Sequence, residues 1–120
     1  MATPTFSVHA PAGAQASNPL GLVRLDHLQV CGSLEALEPL CRRLGFSRAA
    51  SARGSWGAWR HLRQNRMDLL LGETDDSRLP GRYAAAHGAG VCALAFEVLD
   101  VPAALQEAAR RGAEIRMEPK

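Results

Sequence analysis

Apolar positions along this chain recur with two different spacings, and each change of spacing marks the end of one element and the start of the next. Residues 23–30, VRLDHLQV, are rich in Leu and β-branched positions and stop at Cys31-Gly32, which predicts a strand. A two-residue period sets Val23, Leu25, His27 and Gln29 on one face and Leu28 and Val30 on the other. Leu34, Leu37, Leu40, Cys41 and Leu44 then recur at helical spacing behind Ser33, whose hydroxyl suits an N-cap. Arg42 and Arg43 fall in the last turn, where cations oppose the negative end of the helix dipole, and Gly45 suits the exit. Pro39 conflicts with this pattern. An interior proline costs about 3 kcal/mol, so the helix is expected to start late or to kink.

Residues 46–52 and 58–63 predict two further strands, separated by the turn-rich Arg53-Gly54-Ser55-Trp56-Gly57. Asn65-Arg66 suits a tight turn into the apolar run 67–71, which is short enough to be a buried strand. Residues 73–77, ETDDS, predict a polar loop. Residues 79–87 predict a short helix, with Pro80 in the first turn, where its missing N–H is not needed, and Gly88 at the exit. Residues 91–98, VCALAFEV, carry the clearest strand pattern in the chain. Another helix begins after Asp100, with Pro102 near its first position and Arg110-Arg111-Gly112 closing it. Residues 115–117 have the composition to begin one more strand. The order β-α-β-β-β, short helix, β-α predicts an α+β fold. Its strand–helix unit occurs twice, because Ala36-Leu37 through Arg43-Leu44-Gly45 is echoed by Ala104-Leu105 through Arg111-Gly112. A spacing of roughly 65–70 residues in two copies does not suit a solenoid. It suits paired modules, of which the second is expected to be incomplete.

Composition narrows the class. A chain of 120 residues with 47% hydrophobic and 22% charged positions is an ordinary globular domain and not a disordered one. Aromatic residues make up only 5%, so the core must rest on aliphatic side chains. The formal charge of +2, spread over scattered arginines with Lys only at position 120, is too small to imply a nucleic-acid interface. Cys31, Cys41 and Cys92 are odd in number and lack C-x-x-C spacing, which predicts reduced, mostly buried thiols and a cytoplasmic location. No apolar run approaches the roughly 20 residues of a membrane span. Residues 1–17 lack a secretory pattern and are expected to be a disordered leader to a single domain over 18–120.

Several segments together resemble the N-terminal domain of 4-hydroxyphenylpyruvate dioxygenases and the related hydroxymandelate synthases. Asn18-Pro19-Leu20-Gly21-Leu22 is similar to the opening that precedes the first strand of bacterial members, and Leu34-Glu35 through Leu44-Gly45-Phe46 to their first helix and its exit. Residues 83–98, YAAAHGAGVCALAFEV, carry the strongest likeness, which Arg111-Gly112-Ala113-Glu114-Ile115 and Glu118-Pro119 continue. The resemblance implies the vicinal-oxygen-chelate (glyoxalase-like) arrangement, in which βαβββ modules pair into a cupped half-barrel. It also implies a non-haem iron enzyme of tyrosine catabolism. In such an enzyme Fe(II), held by two His and one Glu, and a small aromatic 2-oxo acid occupy the C-terminal domain. The chain is then expected to be the N-terminal domain or a fragment, inactive alone and bound to a completing domain. The alternative is a non-catalytic small-molecule-binding or dimerising module, closed by a second copy.

The same resemblance singles out His27. Leu25-Asp26-His27-Leu28 is similar to the IDHL segment that carries the first iron ligand in the catalytic domain of the family. The counterpart of the second ligand falls near Ala93, which has no donor, and Glu97 lies four residues on, roughly 13 Å along a strand. A hydrogen-bonded structural role for His27 competes with the metal role. Related metal enzymes of this fold draw a carboxylate from the strand at 67–71, which makes Asp68 and Glu73 acidic candidates unless they are solvated strand ends. His87 is expected to serve a helix C-terminus, His61 has no evident partner, and His9 lies in the leader. No two histidines have the spacing of a closed zinc site. Cys92 sits among apolar neighbours and is expected to stay protonated. There is no nucleophile elbow and no phosphate-cradling glycine loop. Trp56 and Trp59 flank Gly57 and either line a cup or pack at an edge.

Overall fold

A computed structural model describes residues 17–116. The elements run β1 (Leu22–Cys31), α1 (Leu34–Arg43), β2 (Ser47–Gly54), β3 (Gly57–Gln64), β4 (Met67–Thr74), α2 (Leu79–His87), β5 (Gly90–Val98) and α3 (Val101–Arg110). β1 through β4 with α1 make one βαβββ module, and β5 and α3 repeat its first two elements, as the sequence echo implies. The residues gather into two compact units, Val23–Glu97 and a second that brings residues 17–22 together with 98–116.

Within Val23–Glu97 the strands form one sheet in the order β2-β3-β4-β1-β5. β2, β3 and β4 are an antiparallel meander. β1 lies parallel to β4, with Leu28 opposite Leu69 and Val30 opposite Leu71. The path through α1, β2 and β3 supplies the long crossover that a parallel pair requires. Alternation then sorts the side chains. Leu62 and Leu71 are fully buried together with Leu34 of α1, and Val30, Leu37, Cys41, Phe46, Ala58 and Leu69 pack around them. Leu62 faces Leu69 across the β3–β4 ladder, and Leu71 faces Arg60, so this face of the sheet is the one beneath α1.

Ser33 caps α1 by accepting a hydrogen bond from the Ala36 N–H. The helix starts at Leu34 and runs through Pro39, so a late start is not what accommodates the proline. Pro39 is exposed, and so is Glu35, whose carbonyl loses its partner, so water can satisfy the orphaned group. Two glycines are required by close approach. A Cβ at Gly57, where φ is +135°, would sit 2.2 Å from the Glu73 carbonyl oxygen. A Cβ at Gly72 would sit 2.5 Å from the indole of Trp59.

The register of β2 shifts between Arg48 and Ala50, a bulge that leaves Ala49 without a partner. Arg48 lies opposite Leu62, Ser51 opposite Arg60 and Arg53 opposite Ala58. Strict alternation would send Arg48 and Arg53 to opposite faces; the bulge puts both on the α1 side. There Glu38 of α1, only 5% exposed, accepts from Arg48 Nε and Nη2 at 2.8 and 2.6 Å and from Arg60 Nη1 at 2.6 Å. Arg42 adds a longer ion pair at 3.5 Å. The Arg48 hydrogen bonds hold the Glu38 carboxyl down at about 2, against the opposing effect of burial.

Three expectations are corrected. β4 continues to Thr74, so the polar loop begins at Asp75, whose Oδ1 accepts from the Ser77 N–H. Cys31 is buried, but Cys41 and Cys92 are only partly so. Ile115 and Arg116 are irregular and not a strand, because extended backbone needs a neighbouring ladder to satisfy its N–H and C=O groups. Met117 and residues 1–16, with His9 and nearly all of the expected leader, lie outside the described residues. In the second unit Asp100 caps α3 through the Ala103 N–H, and the Leu99 N–H donates to the Gly21 carbonyl. No helix among the described residues is long and apolar enough to cross a membrane.

Candidate functional site

The face of the sheet opposite α1 carries a polar cluster beside the β3–β4 turn. The β3–β4 hairpin turns at Asn65-Arg66, where Asn65 adopts φ 53°, and this turn sets Arg63 opposite Asp68 and His61 opposite Leu70. The β1–β4 register, continued one residue back from Leu28 and Leu69, brings His27 level with Asp68. Together with Arg24 and Asp26, these side chains line a cavity of about 290 Å³.

Each acidic group in the cavity is already engaged. Asp68, 14% exposed, accepts from Arg63 Nε at 2.9 Å, and its Oδ1 lies 2.6 Å from His61 Nε2. The Arg63 hydrogen bond, then the one from His61, hold the Asp68 carboxyl below the usual carboxylate range. An ionised carboxylate only accepts, so the proton of this pair resides on His61 Nε2. Asp26 binds Arg24 at 2.9 Å and His27 Nδ1 at 2.8 Å. Arg24 in turn reaches Glu97 on β5 at 2.7 Å.

His27 therefore donates from Nδ1 to Asp26 and, when neutral, presents its lone pair at Nε2. That atom is buried and has no hydrogen-bond partner among the described residues. This is the tautomer of a metal-ligating histidine oriented by a carboxylate behind it. One donor is not a site, however. Among the described residues no three His, Cys, Asp or Glu side chains converge to hold a metal ion. Ala93 on β5 contributes nothing, the Nε2 of the second cavity histidine, His61, is turned to Asp68, Glu97 is paired to Arg24, and Asp68 is neutralised by Arg63. The donor set present does not fit an iron centre of two His and one carboxylate.

The other candidates resolve individually. His61, without an evident partner in sequence, is the partner of Asp68. Asp68 is correspondingly not a solvated strand end, whereas Glu73 is exposed on β4. His87 is the last residue of α2 and packs on Tyr83 with ring centroids 4.8 Å apart. Trp56 stacks under the Arg78 guanidinium at 5.2 Å, and Trp59 covers Gly72. Burial pushes the Cys92 thiol up, with Cys31 adding to it, and burial does the same to Cys41, so both thiols stay protonated. Arg24, Asp26 and Arg63 were not among the sequence candidates. The signal that finds Arg63 is its equal distance with Asp68 from the Asn65-Arg66 turn.

The βαβββ module, its mixed sheet and the cupped polar face define a glyoxalase-like, vicinal-oxygen-chelate fold. Solved structures of the same build include the Streptomyces coelicolor methylmalonyl-CoA epimerase in complex with 2-nitronate-propionyl-CoA, at TM-score 0.69 and 25% identity, covering 82% of this chain and 79% of that one. The Mycobacterium tuberculosis methylmalonyl-CoA epimerase aligns at TM-score 0.70 and 18% identity over 88% and 75% of the two chains, a likeness of fold alone. Residues 16–119 match the family described as hydroxyphenylpyruvate dioxygenase, HPPD, N-terminal, and the chain belongs to that family. The 4-hydroxyphenylpyruvate dioxygenase of Pseudomonas sp. (strain P.J. 874) is 32% identical over 99 residues, 81% of this chain and 27% of its own length. Hemolysin VllY of Vibrio vulnificus (strain CMCP6) is 33% identical over 103 residues, 82% of this chain and 28% of its own. The chain thus spans just over a quarter of the length of these two relatives.

Proposed function

We propose that this chain is the N-terminal scaffold domain of a 4-hydroxyphenylpyruvate dioxygenase-like non-haem iron enzyme of tyrosine catabolism, acting in the cytoplasm and without turnover alone. The observation that carries this reading is the state of the cavity carboxylates. Asp68 is held by Arg63 and His61, and Asp26 by Arg24 and His27, so neither is free to join His27 Nε2 around a cation. Fe(II), when bound in the completing domain, supplies the oxygen chemistry on the small aromatic 2-oxo acid. The residues of this chain do something different: they lock one face of the sheet with ion pairs and bury the other beneath α1. His27 acts here through its hydrogen bond to Asp26, and its metal role is reserved for a site to which other donors are added.

The purified chain, supplied with Fe(II), oxygen and 4-hydroxyphenylpyruvate, is expected to form no homogentisate. Its iron content is expected to be the same in wild type and His27→Ala. Homogentisate formation accompanied by stoichiometric iron that His27→Ala abolishes would overturn the proposal.

A second reading, a dimerising or small-molecule-binding module, is favoured by one specific feature. β5 is an edge of the sheet, and Val91, Leu94 and Phe96 along it are exposed. An apolar edge with unpaired backbone groups recruits another strand, either from a completing domain or from a second copy. Sedimentation of the chain at micromolar concentration separates the cases: a homodimer supports the second reading, and a monomer speaks against it.

A further inference from the structure

We propose that the α1-side surface of β2 and β3 holds a binding site for a compact oxyanion of the phosphate class. A cavity of about 170 Å³ opens there, lined by Arg48, Ser51, Arg53, Ala58, Trp59 and Arg60. It is separate from the cavity around His27, which shares none of these residues. The β2 bulge creates it, because only the register shift between Arg48 and Ala50 brings Arg48 to the face already occupied by Ser51, Arg53 and Arg60.

Charge and geometry both favour an anion. Arg42, Arg48 and Arg60 all pair with one carboxylate, Glu38, and Arg53 has no ion pair among the described residues. One carboxylate therefore serves three guanidiniums, and the cavity is lined by two of these together with the unpaired Arg53. Glu38 uses Nε and Nη2 of Arg48 and Nη1 of Arg60, which leaves Nη1 of Arg48 and the other two nitrogens of Arg60 without a hydrogen bond among the described residues. A buried carboxylate that grips one edge of a guanidinium fixes its plane and aims the remaining donors, which is the preorganisation that oxyanion recognition requires. The Ser51 hydroxyl adds a donor to the cavity wall. The cavity is small, so it suits a tetrahedral anion and not an extended polyanion.

The test titrates inorganic phosphate into the isotope-labelled full chain at constant ionic strength and follows backbone amide shifts. Saturable shifts centred on residues 51–53 are expected. Arg53→Ala, which removes no ion pair, is expected to weaken binding about tenfold, the worth of one charge-assisted hydrogen bond. Arg53→Lys should recover part of it. Arg24→Ala, in the other cavity, is expected to leave binding unchanged. A phosphate monoester run in parallel identifies the source: tighter binding than inorganic phosphate points to an esterified group, and equal binding points to the free ion, either outcome supporting the site. Shifts that never saturate, chloride producing the same shifts, or loss of binding in Arg24→Ala with retention in Arg53→Ala would each overturn the proposal. Thermal unfolding of each variant confirms that the comparison is between folded proteins.

Discussion

On one side of the sheet Leu62 and Leu71 are sealed under α1, while on the other the same two strands carry His61, Arg63, Asp68 and Leu70 into a cavity. β3 and β4 thus divide their labour by parity alone: alternate residues build the core, and those between build a polar surface. The polar surface is arranged in closed pairs, Arg63 with Asp68 and Arg24 with Asp26 and Glu97. Stability resides on the first face and the capacity for chemistry on the second. There each carboxylate of the cavity is paired with a cation of the same surface.

The sharpest way to break this contrast is Leu71→Ala. Deleting a fully buried leucine is expected to cost about 2–5 kcal/mol, the transfer term plus the cavity left behind, measured by denaturant unfolding. A cost below about 1 kcal/mol would show that the α1 side is not where stability resides. Next in size is Glu38→Gln, which is expected to lower the melting temperature by several degrees at neutral pH by stranding Arg48 and Arg60. Its signature is a pH profile. The carboxyl sits at about 2 in the folded chain against an ordinary 4.5, so the folded state binds this proton more weakly than the unfolded chain does. The stability it contributes is fully present above about pH 4.5 and drains away as the pH falls toward 2. Glu38→Gln should flatten that acid limb, and an unchanged limb would assign it to other carboxylates.

Leu94→Lys, on the exposed edge strand, is expected to leave the melting temperature within a few degrees and to abolish any self-association seen by sedimentation. A dimer that survives the lysine must form elsewhere. The smallest effect is predicted for His27→Leu, within about 1 kcal/mol of wild type. The lost hydrogen bond to the half-exposed Asp26 is offset by removing a buried nitrogen that has no partner among the described residues. A loss of several kcal/mol would mean that His27 supports the polar face far more than its contacts suggest.

Much of this architecture was legible in the residues themselves. Ser33, Asp100 and Gly88 announced helix ends where the helices begin and stop, and the strand pattern of residues 91–98 located β5 to within one position. What escaped were features that depend on two segments at once. Arg63 and Asp68 look like unrelated charges until the Asn65-Arg66 turn is used as an axis and the pairs are counted outward from it, and His61 then lies on the same face, diagonal to Asp68. The bulge at Ala49 has no Gly or Pro to signal it, so the convergence of Arg48 with Arg53 was invisible to a pattern of strict alternation. Glu38 reads as an ordinary helix-surface acid, because burial is decided by what the neighbouring strands bring to it. The resemblance to the dioxygenase family supplied the position of His27 but not its isolation, which follows from Arg24 and Arg63 claiming the nearby carboxylates.

The parallel pairing of β1 with β4 also shapes how this sheet assembles. β2, β3 and β4 are joined by tight reversals and can zip together locally, whereas Leu28 must find Leu69 across an intervening stretch of about forty residues. Closing so long a loop is entropically expensive until the leucines beneath α1 come together. Docking of the first strand is therefore expected to be the late, rate-setting event of folding, and the histidine it carries takes its place only after the three-stranded meander exists.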